Sequence, residues 1–171
     1  ELVVLSDNCF MGCDFSGELK LPENLRTIGN NVFGSYESGS CWRLMGTLVI
    51  PDEVQSIGRG AFYGCRSLEG IVFPEGLESI QNEAFYMCTG IGSIVCKGEM
   101  PAYVQTTAFD GVAKDNFTLE VPESAIQQYQ AAVGWKDFKR IAAHHELVCR
   151  PSVACALNTE HKQTLVVDAE G

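Results

Sequence analysis

The sequence predicts an α/β repeat solenoid: short strands stacked in a parallel sheet, a helical C-terminal cap and a small β tail. Three observations lead there. Pro51 and Pro74, Ile57 and Ile80, and Ala61-Phe62 and Ala84-Phe85 each recur at a spacing of 23 residues. A fixed period in this range means one supersecondary unit stacked on copies of itself. The apolar run that opens each unit is short and ends at proline, which has no N–H to continue a ladder. Gly29, Gly34, Gly58 and Gly64 fall at the tight corners that a narrow coil needs.

The units follow one another along the chain. The first is partial: Leu5 falls on Ile57, Gly12-Cys13 on Gly64-Cys65, and Phe10 stands as far before Pro22 as Phe62 does before Pro74. Glu1 is expected to be an artificial or processing boundary, because an uncapped solenoid end exposes core. The second unit reads Leu19-Lys20-Leu21-Pro22, Leu25-Arg26-Thr27-Ile28-Gly29 and Val32-Phe33-Gly34. Pro22 lies farther from Pro51 than one period, so this unit carries an insertion around positions 35–40. The clearest unit runs Leu48-Val49-Ile50-Pro51, Val54-Gln55-Ser56-Ile57-Gly58 and Ala61-Phe62-Tyr63-Gly64-Cys65, then Ser67-Leu68. The next keeps Ile71-Val72-Phe73-Pro74, Leu77-Glu78-Ser79-Ile80 and Ala84-Phe85. The pattern then loosens. Lys97 stands in the proline position after Ile94-Val95-Cys96, and Val104 takes the isoleucine position. Ala108-Phe109 follows Ala84-Phe85 one position later than the period sets. Leu119-Glu120-Val121-Pro122 is the last strand of the series.

Each unit is too small to bury its apolar residues alone, and stacking supplies the missing walls. The pattern apolar-x-apolar-Pro is a strand with two residues inward and one outward. The second apolar pair, such as Leu77 and Ile80, covers the opposite side of the coil. The Ala-Phe pair belongs to a short helical or turn segment, and its phenylalanine is the largest plug of each layer. After Pro122, Ser124 is placed to cap a helix whose Ile126, Tyr129 and Val133 share one face. Gly134 suits the residue past the helix end, and Trp135 and Phe138 are placed to seal the last layer. Residues 142–171 change character, with short strands expected at Leu147 to Cys149, Val153 to Leu157 and Thr164 to Val167.

The eight cysteines of this 171-residue chain suggest a disulfide framework at first sight. The register argues otherwise. Cys13, Cys65 and Cys88 share one position, Cys41 nearly so, and a column of parallel side chains gives poor bridging geometry. They are expected as free thiols packed as small hydrophobes. Cys96 aligns with Phe73 and Cys9 with Ala61.

Composition narrows function. A formal net charge of −10 makes nucleic acid a poor partner. No apolar run is long enough to offer a membrane span. No nucleophile elbow, zincin helix, P-loop or dinucleotide fingerprint appears, so no catalytic, cofactor or metal residue is assigned. His144, His145 and His161 lie near Cys149 and Cys155, but their spacing fits no common zinc pattern. Asn116-Phe117-Thr118 is a glycosylation sequon only in a eukaryotic secretory setting.

Two places remain for binding. Outward strand positions form a column of Lys20, Val49, Val72, Val95 and Glu120, and two positions back lie Glu18, Thr47, Gly70, Ser93 and Thr118. An ordered apolar stripe marks an interface, although valine also favours strands for its own reasons. The second place is the insertion over positions 35–42, with Tyr36 and Trp42. Glu23, Asp52, Glu75 and Glu123 follow the strand-ending prolines as an acidic row, read as a solvated rim or as a seat for a cation or a basic partner.

The segments L-x-I-P, V-x-S-I-G-x-x-A-F and G-C-x-S-L quoted above resemble the BspA-like leucine-rich repeat family of bacterial surface proteins, over roughly residues 5–121. The resemblance implies a leucine-rich-repeat-type solenoid at 1–121, a C-terminal cap at 122–141, and a β-rich tail at 142–171, similar to the opening of an immunoglobulin-like domain. It implies a non-enzymatic, extracellular or cell-surface module that binds or adheres to a protein or glycan, of host matrix or bacterial surface. The alternatives are a structural spacer within a larger surface protein and, less favoured, an accessory module of a hydrolase.

Overall fold

In the computed structural model, residues 2–34 and 43–144 are described, with the backbone of two short strands at 155–156 and 166–167. The insertion with Tyr36, Cys41 and Trp42, and the tail residues Cys149, His145 and His161, lie outside the described residues.

The chain coils so that each turn crosses two parallel sheets. In chain order the strands are β1 (Val4–Leu5), β2 (Ser16–Glu18), β3 (Thr27–Ile28), β4 (Arg43–Val49), β5 (Ser56–Ile57), β6 (Leu68–Phe73), β7 (Ser79–Ile80), β8 (Ser93–Cys96), β9 (Tyr103–Val104) and β10 (Leu119–Val121). A 3-10 turn (Glu123–Ala125), helix α1 (Ile126–Ala131) and β11 (Ile141–Ala143) follow. The two-residue strands form one sheet, β1-β3-β5-β7-β9; the longer ones form the other, β2-β4-β6-β8-β10-β11. Registers keep the repeat: Ile57 pairs with Ile80, Val72 with Val95 and Phe73 with Cys96. The second sheet is not in the sequence expectation, which places strands on one face only. Its strands are too short for a period-2 signal; each contributes one inward residue (Leu5, Ile28, Ile57, Ile80, Val104), all buried.

Between the sheets runs the aromatic column. Phe10, Phe33, Phe62, Phe85 and Phe109 stack ring on ring at 5.5, 5.3, 5.3 and 5.5 Å. Trp135 continues it on Phe109 at 5.5 Å. The Ala-Phe segments are turns, not helices, yet they are laddered as the strands are. Phe33 N–H donates to the Ala61 carbonyl, Phe62 N–H to Ala84, and Phe85 N–H to Ala108, each at 2.8 Å. These turn N–H groups find their partners one layer away, which is what allows the turns to be buried.

Two corner positions show how tightly the layers approach. Gly64 has φ +73°, and a Cβ there meets nothing within 4 Å, so only the backbone conformation asks for glycine. At Gly58 the reason is space: a Cβ would sit 2.5 Å from the Gly29 carbonyl carbon and oxygen.

The cysteine column holds in the middle and fails at the end. Cys65, Cys88 and Cys96 are buried thiols outside any disulfide, whereas Cys13 and Cys9 are exposed. Cys88 Sγ donates to the Phe62 carbonyl at 3.1 Å.

The cap is also partly rearranged. Tyr129, Trp135 and Phe138 are buried as expected. Trp135 Nε1 donates to the Ala102 carbonyl at 2.8 Å, and Tyr129 hydroxyl to the Gly98 carbonyl at 3.1 Å. Ser124 does not cap the helix. It lies within the 3-10 turn, its hydroxyl donates to Glu99, and the residue before α1 is Ala125, without a side-chain cap. Val133 is 56% exposed, because the helix ends at Ala131 and Ala132 turns extended. Gly134, at φ +84°, turns the chain beneath Val104. The chain then returns to the main sheet: β11 pairs with β10 from Leu119↔Ile141 to Val121↔Ala143 and runs across the expected cap–tail boundary. In the tail, β12 (Cys155–Ala156) pairs antiparallel with β13 (Val166–Val167), inside two of the expected strands.

A polar ladder follows the rim beside the two-residue strands. Asn30 donates its backbone N–H and its side-chain amide to the Asp7 carboxylate at 2.7 and 2.9 Å, and Asn30 Oδ1 accepts from Arg59 N–H at 2.8 Å. The Asn30 N–H, then its amide, holds the Asp7 carboxyl below its ordinary 3.8. A lowered carboxylate stabilises the fold above its unfolded pKa, and that contribution disappears as pH falls through the folded value. The stability advantage of the wild type over Asp7→Asn is therefore expected to shrink toward zero as urea melts are taken from about pH 5 to below about pH 3.

Two further outcomes follow from the packing. Phe62→Ala, in the middle of the column, is expected to cost about 3–5 kcal/mol in urea denaturation. Phe10→Ala, at the half-buried end, costs less. Gly64→Ala is expected to cost about 1 kcal/mol, the strain of a left-handed alanine. Gly58→Ala reaches the upper end of overpacking, about 3 kcal/mol, because its neighbour is backbone.

Candidate interaction surface

Strand pairing assembles the outward column residue by residue. Val49 pairs with Val72, Val72 with Val95, Val95 with Glu120, and Glu120 with Ala142. Val49 is 52% exposed, and Val72, Val95 and Glu120 are half-buried. The alternation of the pleat that sends Leu48, Ile71 and Ile94 into the core sends these four outward. Lys20 is exposed but does not join the row. It lies beyond the end of β2 and makes no bridge to Val49. Beside the row, Thr47, Gly70 and Ser93 are in register, and a Cβ on Gly70 would lie 2.3 Å from Ser93 Oγ and 3.1 Å from Thr47 Oγ1. Two hydroxyls thus close over the glycine, and the face there is flat.

Two hollows flank the valines. A cleft of about 510 Å3 lies between the second and third units, with Glu18, Lys20, Glu23, Val49, Asp52 and Lys97 on its walls. A groove of about 450 Å3 is lined by Val72, Val95, Cys96, Lys97, Pro122 and His144. Lys97 borders both. It occupies the position where other turns have proline, and its Nζ reaches back past the Pro74 layer to Asp52 Oδ1 at 3.3 Å. In sequence it stands out only as a break in the proline series.

His144 belongs to this face and not to a cluster in the tail. Its N–H donates to the Val121 carbonyl at 2.7 Å, and Nδ1 lies 2.7 Å from Glu120 Oε2. Pairing of β11 with β10 places it there, and nothing in the sequence signals that pairing. The acidic row is exposed at Glu23, Asp52, Glu75 and Glu123. Gly98 interrupts it: the register puts Gly98 on Glu75.

The one thiol bordering the groove, Cys96, is buried; loss of hydration pushes its pKa up, and the Tyr129 hydroxyl offsets this only in part. A thiol held protonated is a poor nucleophile. Among the described residues, no helix is long and apolar enough to cross a membrane.

Among the described residues, repeating turns, two parallel sheets and one short capping helix define a repeat solenoid with an open strand face. The family model described as BspA type Leucine rich repeat region matches residues 40–130 in six copies. The chain belongs to that family, whose members are leucine-rich repeat modules of protein interaction and of surfaces. No curated protein matches the chain.

Proposed function

We propose that the protein is a non-enzymatic binding module, secreted or at the cell surface, that adheres to an extracellular protein or glycan through the face of its longer sheet. The observation that carries this is the valine row. Val49, Val72 and Val95 are ordered in register on a sheet face that no other element of the described chain covers. A monomer that needed only strand propensity has no reason to keep them beside polar, partner-ready walls. Family membership supports an interaction role.

Val49→Glu combined with Val72→Glu puts charge in the middle of the row without touching the core. On an array of extracellular matrix proteins and glycans, the double variant is expected to lose wild-type binding by at least tenfold while its circular dichroism spectrum is unchanged. The reason is that a charge buried at a contact without a partner loses its hydration and gains nothing in return. Equal binding by the variant refutes the strand face as the site. A wild-type protein that binds nothing on the array favours a spacer within a larger surface protein.

A further inference from the structure

The strand face has a fault where the second unit meets the third. β2 pairs with β4 from Ser16↔Arg43 to Glu18↔Met45. On the other sheet the same two turns pair as Thr27↔Ser56 and Ile28↔Ile57, an offset wider by a two-residue step. That difference is absorbed after Glu18. There, among the described residues, no backbone hydrogen bond joins the 19–22 segment to the 47–51 segment. The cleft of about 510 Å3 opens at this fault, a size within the roughly 300–1,000 Å3 of ligand clefts.

Ladder alternation decides what the cleft offers. Ile50 N–H donates away from it, to the Val72 carbonyl at 3.0 Å. Successive residues of a strand point their N–H and C=O groups to opposite sides, so Val49 directs both of its groups into the cleft. Strand groups left unpaired in this way form a template for an added strand. The charges around them are acidic on balance, with the carboxylates of Glu18, Glu23 and Asp52 against Lys20 and Lys97. Lys97 is engaged by Asp52, while Glu18 and Glu23 have no ion-pair partner among the described residues. The whole chain carries a formal net charge of −10.

We propose that this cleft takes an extended, lysine- or arginine-bearing polypeptide segment of the partner. The segment hydrogen-bonds to the Val49 main chain and sets its basic side chains on Glu18 and Glu23. The proposal rests on the strand-face reading and specifies the partner's chemistry. Lys20 then stands as a discriminator against segments with a basic residue at that end.

The test uses the 171-residue chain and three blocked hexapeptides: alternating lysine and valine, alternating glutamate and valine, and the lysine peptide N-methylated at its valines. Fluorescence anisotropy at low salt reads the binding. The lysine peptide is expected to bind on the order of tenfold more tightly than the glutamate peptide, and N-methylation to abolish its binding. Glu18→Gln with Glu23→Gln is expected to weaken it by a similar factor, and Glu78→Gln, exposed beside the two-residue strand β7, to leave it unchanged. Equal binding of the N-methylated peptide overturns the proposal, as does indifference to the two glutamines or no binding of the lysine peptide. An equal loss in Glu78→Gln is general charge attraction, which overturns the cleft but leaves the strand-face reading standing.

Discussion

One ring per layer governs this molecule. Phenylalanine centroids repeat every 5.3–5.5 Å down the core, while parallel strands prefer about 4.8 Å. Offset stacking reconciles the two distances, so the aromatic column and the hydrogen-bond ladder share one axial repeat. Everything else must obey that spacing. Gly58 has no room for a methyl group because the turn below is already one ladder step away. Turns that in most proteins lie on the surface are buried here, because their N–H groups reach the carbonyls of the next turn. Trp135 ends the column by presenting a tilted ring, at 49° to Phe109, and by using its indole N–H on the Ala102 carbonyl.

The sequence exposes what repeats and hides what does not. Pro51, Pro74, Ile57, Ile80 and the Ala-Phe pairs are each set by one layer's geometry, so a single chain read in register shows them. The family, the coil and the outward row of Val49, Val72 and Val95 were legible for that reason. The two-residue strands were not, since a strand so short leaves no alternation to read. Cys13 shares the repeat position of Cys65 and Cys88 in sequence, yet it is exposed while they are buried. Ser124 looks like a cap from its local sequence, but Glu99, from the preceding turn, captures its hydroxyl. The pairing of His144 with Glu120 arises from β11, whose residues carry no repeat signature. In the surface itself, the row was legible and the hollows were not. Lys97 showed only as an irregularity, and the fault beside Glu18 comes from a difference between two registers.

Lys97, His144 and the fault beside Glu18 lie on one face, that of the longer sheet. The core tolerates little variation, because a changed ring or corner is felt in two adjacent layers. The outward positions of the longer sheet carry no such constraint, and there the chain replaces proline by Lys97 and interrupts the acidic row at Gly98. Regular layers thus hold irregular side chains at fixed spacing, a rigid arrangement on which recognition chemistry can vary without disturbing the fold.

The axial ladder also sets how the protein answers a pull. Its hydrogen bonds lie along the coil axis, so tension on the two ends of the coil loads them in series. Layers then peel away one after another and do not shear all at once. Each 23-residue turn released this way yields roughly 75 Å of chain at about 3.3 Å per residue. Under load the coil lengthens stepwise while the remaining layers keep their stacked rings.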